Sequence, residues 1–229
     1  MTAQEALEGR VLLIDKPLEW TSFQVVNKIR WLIRKELDIK KIKVGHAGTL
    51  DPLATGLLIL CTGKFTKKIN TYQAQEKEYT GTITLGGTTP SYDLETEVNQ
   101  QFDITDLSEA QIRQATQQFI GEIEQVPPIF SAIKKDGKRL YELARAGETT
   151  EIKSRTITIS EFEITKIEMP LVHFRVVCSK GTYIRSLAHD FGKTLSNGGH
   201  LSALRRTRIG DFSVTNAQTI EQFTSQLKG

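Results

Sequence analysis

Hydrophobic and polar positions follow two different periods along this chain, and together they predict a mixture of helices and strands. Apolar residues recur every three or four positions after Thr21 and again after Ser108, a period typical of amphipathic helices. Gln24 and Gln111 lie three residues after these two polar residues, so each pair fits a capping box. Shorter helices are predicted near 65–72, 140–146, 184–195 and 220–227, and strands over 10–14, 57–61, 78–85, 156–167, 172–179 and near 212–214. Strands interspersed with helices, with hairpin-like pairs, predict an α+β fold on a mixed, largely antiparallel sheet.

The length and composition of the chain indicate one globular domain. It has 229 residues, of which 38% are hydrophobic, enough for a substantial core. No apolar run approaches the roughly 20 residues of a membrane helix, and the polar N-terminus lacks the apolar core of a signal peptide. No repeat, long linker or low-complexity tract divides residues 1–229, so a single cytoplasmic domain is predicted. Cys61 and Cys178 lie in apolar runs and are predicted to be buried free thiols, outside any disulfide framework or zinc site.

Basic residues are concentrated in four clusters, although the net charge is only +3. The clusters are Lys28, Arg30, Arg34, Lys35, Lys40, Lys41 and Lys43; Lys64, Lys67 and Lys68; Lys134, Lys135, Lys138 and Arg139; and Arg205, Arg206 and Arg208. A single cluster of this kind is most often a solvated face. Four clusters favour a polyanion such as nucleic acid if folding brings them together.

Residues 45–56, Gly-His-Ala-Gly-Thr-Leu-Asp-Pro-Leu-Ala-Thr-Gly, are the strongest candidate for chemistry, with Asp51 at their centre. The three glycines permit backbone conformations with φ > 0 and the close approach of another molecule. Pro52 biases Asp51 towards an extended conformation, and the following apolar run reads as a buried strand. Two interpretations stand side by side at this point: an Asp-Pro turn, and a catalytic carboxylate on an anchored loop.

Three other residues are candidates for a role in the chemistry at Asp51. Arg185 can hold a carboxylate bidentately and keep it ionised, although an exposed helix arginine is the more common case. Tyr79 can stack under a base or exchange a proton, although a strand tyrosine is usually core. His46 can stack against an extruded base, and without further ligands near it a zinc site is not expected. Phosphate-loop, dinucleotide and nucleophile-elbow motifs are absent from the sequence. The residues alone therefore indicate an RNA-facing α+β protein with Asp51 as its best catalytic candidate.

At these residues the sequence resembles the TruB family of tRNA pseudouridine-55 synthases. The stretch around Asp51 resembles the family's catalytic motif, and three further motifs match in the same order. They are Asp15-Lys16-Pro17, Lys77-Glu78-Tyr79 and residues 178–185, Cys-Ser-Lys-Gly-Thr-Tyr-Ile-Arg. The resemblance extends from about Arg10 to Val214 and implies the pseudouridine-synthase fold.

The resemblance also implies a reaction and the residues that carry it. One uridine in the T-loop of tRNA is isomerised: its uracil is detached, rotated and rejoined through C5, without cofactor or metal. By match, Asp51 is the nucleophile, Tyr79 lies under the flipped base and Arg185 holds the Asp51 carboxylate. Attack at C1′, attack at uracil C6 and a glycal route all remain open.

Four further residues correspond to substrate-binding positions of the family. His46 matches the residue that occupies space near the extruded nucleotide, while Tyr183 and Leu204 line the base site. Lys16 matches a motif residue whose role is either structural or RNA-contacting.

The resemblance further implies how the chain meets its substrate. Segments near 86–95 and 130–147 fall where the family carries RNA-gripping insertions, and no C-terminal PUA domain is expected after Gly229. The predicted partner is the T-arm of tRNA, bound by a monomer without an obligate protein partner or a membrane.

Two alternatives to the enzyme are a tRNA-folding chaperone and an Asp51-dependent phosphate-ester hydrolase, the second of which lacks convincing metal ligands.

Overall fold

The computed structural model describes residues 1–135, 137–148 and 150–228. Its helices are α1 (Ala3–Glu8), α2 (Ser22–Glu36), α3 (Ile69–Ala74), α4 (Glu109–Ala115), α5 (Leu140–Arg145), α6 (Ile184–Thr194) and α7 (Ile220–Lys228), with 3-10 segments over Gly63–Lys68, Thr116–Phe119 and Val214–Asn216. Its strands are β1 (Val11–Lys16), β2 (Val44–His46), β3 (Ala54–Thr62), β4 (Lys77–Leu85), β5 (Gly87–Thr88), β6 (Gln100–Gln101), β7 (Gly121–Gln125), β8 (Lys134–Lys135), β9 (Lys138–Arg139), β10 (Arg155–Glu168), β11 (Leu171–Cys178), β12 (Gly199–Ile209) and β13 (Phe212–Ser213). Within the described ranges, no helix is both long enough and apolar enough to cross a membrane.

The main sheet has the strand order β1-β3-β12-β4-β11-β10-β7, with β2 paired to β3 and β13 paired to β12. The β1–β3, β2–β3, β10–β11 and β7–β10 pairs are antiparallel, whereas β3 and β12 are parallel. The predicted α+β class with a mixed, largely antiparallel sheet is therefore confirmed. The chain forms two compact units, one of residues 1–79 and 204–229 and the other of residues 80–203. This division does not test the predicted single catalytic domain over 1–229, because β4 and β12 each have residues in both units.

In the first unit, α2 forms where its local signals predicted it. The Thr21 side chain accepts a hydrogen bond from the Gln24 amide, and the Gln24 side chain accepts one from the Thr21 amide, which completes the capping box. The predicted apolar stripe faces inwards, and its members Val25, Val26, Ile29, Leu32 and Ile33 are all buried. They pack in one cluster with Ile220 and Phe223 of α7. Hydrophobic burial therefore fixes which face of α2 points outwards, and that face carries the basic residues.

Strand β3 is the buried centre of the first unit. The predicted strand over 57–61 is present and extends to Ala54–Thr62, with Leu57 to Cys61 fully buried. Strand β1 pairs along most of it, from Val11 opposite Cys61 to Lys16 opposite Gly56. Cys61 and Cys178 are both buried, as the sequence predicted, and neither forms a disulfide within the described residues.

In the second unit, the β10–β11 hairpin packs its buried aromatic side chains against the helical side of the unit. Phe162 of β10 meets Phe174 of β11 edge-on, with ring centroids 5.9 Å apart, and meets Phe191 of α6 at 5.5 Å. Phe119 approaches Phe162 at 6.0 Å from the 3-10 segment after α4. This cluster fixes the orientation of α6, the helix that carries Arg185 near its start.

The structure corrects the sequence prediction at β12. The sequence predicted no strand between the α6 helix and residues 212–214, but Gly199–Ile209 forms an eleven-residue strand. Its arginines form one of the four basic clusters that would favour a polyanion if folding brought them together, and each arginine has a partner inside the first unit. Arg205 pairs bidentately with Asp15 at 3.0 and 2.6 Å, and Arg208 contacts Glu76 at 3.1 Å. The partners come from distant parts of the sequence, so a local pattern could not reveal them. Helix α1 and strand β7 were also missed.

Candidate active site

Asp51 lies on the loop between β2 and β3, and it is partly exposed. Helix α2 holds this loop through Ser22, its first residue. The Leu50 amide donates to Ser22 Oγ at 2.8 Å, and Ser22 Oγ donates to the Leu50 carbonyl at 3.1 Å. On the other side, the Ala54 amide donates to the Asp51 carbonyl at 3.1 Å as β3 begins. The backbone on both sides of Asp51 is therefore anchored, and the residue is partly exposed.

Arg206 of β12 links the same loop to β3. Its side chain is 1% exposed; Nε donates to the Leu57 carbonyl at 2.8 Å, and Nη2 donates to the Gly48 carbonyl at 3.1 Å. Gly56 has φ +102°, and a Cβ there would lie 2.3 Å from the Arg206 carbonyl oxygen. Glycine at this position therefore permits β3 and β12 to approach. The sequence placed Arg206 in a basic cluster that would favour a polyanion if folding brought the four clusters together, but its side chain is buried and its guanidinium donates to the carbonyls of Leu57 and Gly48.

Lys16 supports the loop from β1, and it is fully buried. Its Nζ donates to the carbonyls of Pro17 at 2.9 Å, Trp20 at 2.6 Å and Pro52 at 3.3 Å. Burial lowers the pKa of Lys16 to about 8, although the negative charge of Asp51 acts in the opposite direction. The resemblance left a structural and an RNA-contacting role open for Lys16, and its buried bonds favour the structural role.

His46 is the last residue of β2 and lies opposite Leu60 of β3. Burial lowers the pKa of its imidazole below the ordinary value, the nearby Arg206 charge lowers it further, and a backbone contact with Gly48 opposes them. The imidazole is therefore neutral near pH 7, as suits a ring that stacks on or replaces an uncharged base.

Leu204 and Tyr79 are the other two predicted site residues of the first unit. Leu204 is partly buried on β12 and lies opposite Ala54, three residues after Asp51. Tyr79 is 8% exposed on β4, and Glu78 beside it accepts a hydrogen bond from Thr207 at 2.8 Å. Around the start of β3, the first unit thus brings Asp51, Lys16 and Leu204 together.

Arg185 belongs to the second unit, where it is 4% exposed in the first turn of α6. Its Nη1 donates to the Phe130 carbonyl at 2.9 Å and to the Ser91 carbonyl at 3.3 Å. Its Nε lies 3.7 Å from the Asp93 carboxylate, which is also buried. Sequence reasoning missed Asp93, which no motif distinguishes from other polar loop residues. Both predicted RNA-gripping segments thus contribute atoms that orient Arg185.

Tyr183 precedes α6, and one glutamine holds its backbone. The Tyr183 amide donates to Gln125 Oε1 at 2.8 Å, and Gln125 Nε2 donates to the Tyr183 carbonyl at 3.1 Å. The Arg155 guanidinium lies 5.1 Å from the centre of the Tyr183 ring. Strand β7, which carries Gln125, therefore fixes the backbone from which the predicted base-site tyrosine projects.

Comparison with known proteins identifies the family. The chain matches the profile of the TruB family pseudouridylate synthase N-terminal domain over residues 34–184, and that of the tRNA pseudouridylate synthase B C-terminal domain over residues 185–228. The chain belongs to the TruB family. It is 63% identical to the tRNA pseudouridine synthase B of Flavobacterium johnsoniae over the whole of both chains. It is 54% identical to that of Phocaeicola vulgatus, covering 96% of this chain and 94% of the relative.

Solved structures agree with this membership of the TruB family. A chain of a Cbf5–Nop10–Gar1 complex is 33% identical, with a TM-score of 0.73 over 97% of this chain. A chain of an H/ACA RNP bound to a substrate RNA containing 2′-deoxyuridine is 31% identical, with a TM-score of 0.69. The present chain spans about half the length of each, 55% and 53%. The pseudouridine-synthase fold implied by the sequence is confirmed.

Proposed function

We propose that this TruB family member is a tRNA pseudouridine synthase that isomerises uridine 55 in the T-loop of tRNA. The observation that carries the proposal is the 63% identity, over both whole chains, to a relative named tRNA pseudouridine synthase B. The geometry of the first unit agrees with it, because Asp51 is partly exposed on a loop whose backbone is anchored from both sides. No observation singles out the chaperone alternative.

The reaction is an isomerisation, so no atom is gained or lost overall. The bond between C1′ and uracil N1 breaks, uracil rotates, and a bond between C1′ and C5 forms while C5 gives up its proton and N1 ends protonated. A carboxylate can assist by attacking C1′, by attacking uracil C6, or by taking a sugar proton on the way to a glycal. All three routes need the Asp51 carboxylate ionised and held in one position.

The uridine must first leave its stacked position, which costs a few kcal/mol. We assign part of the compensation to the neutral imidazole of His46, which can take the place of an extruded nucleotide in the stack. Tyr79 and Tyr183 are proposed to contact the flipped base, and Leu204 to give the base site an apolar wall. Stacking and exclusion of water would then offset the cost of extraction.

Lys16 and Arg206 are proposed to position the loop without touching the RNA. Each places a buried cation on backbone carbonyls beside Asp51. The predicted partnership of Arg185 with Asp51 remains a prediction from the resemblance.

Segments 86–95 and 130–147 are proposed to contact the T-arm. In the second segment Tyr141 is partly exposed and Arg139 is exposed, and the Arg139 and Arg145 guanidinium groups lie 5.8 and 5.4 Å from the Tyr141 ring centre. Arginine beside an aromatic ring is a common arrangement in RNA-binding surfaces. Residue 136 of this segment lies outside the described residues. A single domain acting as a cytoplasmic monomer also stays a prediction.

The Asp51→Asn variant tests the proposed chemistry. Because the amide cannot act as a nucleophile or base, we expect no pseudouridine in a T-arm stem-loop, while the affinity for that RNA changes by less than about threefold. Mass spectrometry of the RNA measures the product, and fluorescence anisotropy measures binding. Asp211→Asn is the matched control, since Asp211 is exposed in the turn after β12. Turnover by Asp51→Asn at the rate of the control would disprove the assignment.

A further inference from the structure

A concave pocket in the first unit lies beside the strand that leads to His46. We call it the basic pocket, and its volume is about 480 Å³. The polar side chains that line it come from α2, from the segment before β2 and from the 3-10 segment after β3. They are Arg30, Arg34, Lys40, Lys41, Lys43 and Thr66. Five of these six residues are cationic, and no carboxylate lines the pocket.

Most of these charges are uncompensated within the described residues. The side chains of Arg34, Lys40, Lys41 and Lys43 are exposed, and the described part of the chain offers them neither an ion pair nor a hydrogen bond. The carboxylate of Glu36 is 3.7 Å from Lys35, which does not line the pocket. Like charges gathered around one concavity repel one another, so a bound polyanion would lower their free energy.

Arg30 gives the pocket a fixed donor. Its Nη1 donates to Asn27 Oδ1 at 3.1 Å, and its Nη2 donates to the Val44 carbonyl at 3.1 Å. A guanidinium has five N–H groups, so three donors remain after these two bonds. The side chain is therefore held in place while donors stay available, which lowers the entropy lost when it binds an anion.

The remaining lining indicates what kind of anion fits. A Cβ at Gly45 would lie 2.7 Å from Ile69 Cδ1, so the apolar floor is tightly packed. The only uncharged polar side chain in the lining is Thr66, whose hydroxyl donates to the Gly63 carbonyl. No amide, carboxylate or aromatic ring in the lining could read or stack on a base. The cations of this lining can contact phosphate oxygens whatever the sequence of the nucleic acid.

The position of the pocket relates it to the Asp51 loop. Val44 and Gly45 form part of its wall and continue directly into His46, all three being residues of β2. The pocket wall is therefore joined through His46 to the loop that carries Asp51. We propose that the basic pocket binds the sugar–phosphate backbone of the tRNA next to the modified loop. This inference rests on the proposed function, because that function supplies the RNA.

Charge reversal in the pocket lining tests the inference. Arg34→Glu and Lys41→Glu change the pocket, whereas Lys35→Glu changes the adjacent residue, whose ammonium lies 5.1 Å from the Trp31 ring centre. Lys228→Glu, at the exposed end of α7, controls for net charge. Fluorescence anisotropy with a T-arm stem-loop and with whole tRNA, at several KCl concentrations, gives the affinity and its salt dependence. Circular dichroism melting checks folding, and Arg34→Gln and Lys41→Gln replace any reversal variant that fails to fold.

We expect each pocket variant to weaken RNA binding about tenfold. The slope of log K against log [salt] should fall by about 0.7–0.9 for each phosphate that the variant no longer neutralises. Lys228→Glu should leave affinity unchanged, and Lys35→Glu should weaken it no more than about threefold. The pocket variants should lose activity through KM.

Two results would overturn the inference. The first is an RNA affinity of Arg34→Glu and Lys41→Glu that equals the RNA affinity of Lys35→Glu. The second is that inorganic phosphate stabilises the unaltered protein against thermal melting but not Arg34→Glu, while the two proteins bind RNA with equal affinity. That result would indicate a site for a small anion. Failure of the proposed function is distinguishable, because it would appear as absent pseudouridine formation by the unaltered protein.

Discussion

At the scale of single residues, the main finding is that buried cations hold the Asp51 loop by its carbonyls. Lys16 and Arg206 have almost no exposed surface, yet the bonds described for them go to backbone oxygens. A buried charge is costly unless it is hydrogen-bonded, and these oxygens provide the bonds. Each cation therefore depends on the loop conformation, and the loop conformation depends on each cation.

The lowered pKa of Lys16 predicts a specific dependence of stability on pH. Because its pKa is about 8 in the folded protein and about 10.4 in an unfolded chain, the unfolded state binds more protons between these values. The contribution of Lys16 to the free energy of unfolding therefore rises with pH in this window, by at most about 1.4 kcal/mol per pH unit. Urea unfolding of the unaltered protein and of Lys16→Met at pH 7.5, 8.5 and 9.5 measures the difference. Parallel pH profiles for the two proteins would contradict this assignment.

Gly56 offers a second test at residue scale, because the cost of its positive φ can be separated from the cost of its close contact by comparison with another glycine. Gly56→Ala would place a Cβ 2.3 Å from the Arg206 carbonyl oxygen, whereas Gly121→Ala, at φ +99°, would meet nothing within 4 Å. Both substitutions strain the backbone, at a cost of about 1 kcal/mol or more. We expect Gly56→Ala to lose at least about 2 kcal/mol more than Gly121→Ala in urea unfolding, because overpacking adds to the strain. Equal losses would show that β3 and β12 can separate easily.

At the scale of elements, α2 and β12 show what the sequence could predict and what it could not. The start of α2 depends on residues within one turn, so Thr21, Gln24 and the apolar stripe predict it. Strand β12 has no apolar alternation and carries Arg205, Arg206 and Arg208. Its charges are tolerated because Asp15, Glu76 and distant carbonyls meet them, and those contacts exist only after folding. Local sequence signals predict local structure, whereas charge pairing between residues far apart in the sequence becomes visible only in the folded structure.

The same contrast applies to the site. The motifs identified Asp51, Arg185 and Lys16 as candidates, but they did not show how any of them is held. The sequence assigned no role at the site to Ser22, although it is the residue that bonds Leu50. A hydroxyl directly after an N-cap carries no signal for such a role, since its contact with Leu50 joins residues 28 positions apart and exists only after folding.

The capping box of α2 gives a prediction for the whole helix. Thr21→Ala removes the side-chain oxygen that accepts the Gln24 amide, so we expect a loss of about 1 kcal/mol in the free energy of unfolding. Thr21→Ser keeps the acceptor and should stay within about 0.5 kcal/mol of the unaltered protein. Chemical denaturation of the three proteins measures both values. If alanine and serine prove equivalent, the N-cap bond does not stabilise this helix.

At the scale of the whole molecule, basic clusters that look alike in sequence differ in the structure in what their side chains contact. Five of the seven cationic residues between 28 and 43 line the basic pocket, whereas Lys28 and Lys35 approach the face of Trp31. The arginines of 205–208 are occupied by protein groups. A net charge of +3 therefore understates the positive surface that an RNA would meet.

This arrangement predicts that RNA binding depends strongly on salt. If the basic pocket and neighbouring lysines neutralise about four phosphates, raising KCl from 50 to 200 mM should weaken the affinity for tRNA about 10²-fold. Titrations by fluorescence anisotropy measure the slope, and thermal melting at both concentrations confirms that the protein stays folded. A change below about threefold would mean that the complex depends little on phosphate contacts.

The anchoring of the Asp51 loop has a consequence for engineering. A peptide of residues 45–56 contains the whole motif around Asp51, but the side chains that hold it belong to Lys16, Ser22 and Arg206. Grafting the motif into another scaffold would therefore require a strand end, a helix start and a second, parallel strand in matching positions. Transplanting the twelve residues alone should yield a loop that contains the carboxylate but does not hold it in a fixed orientation.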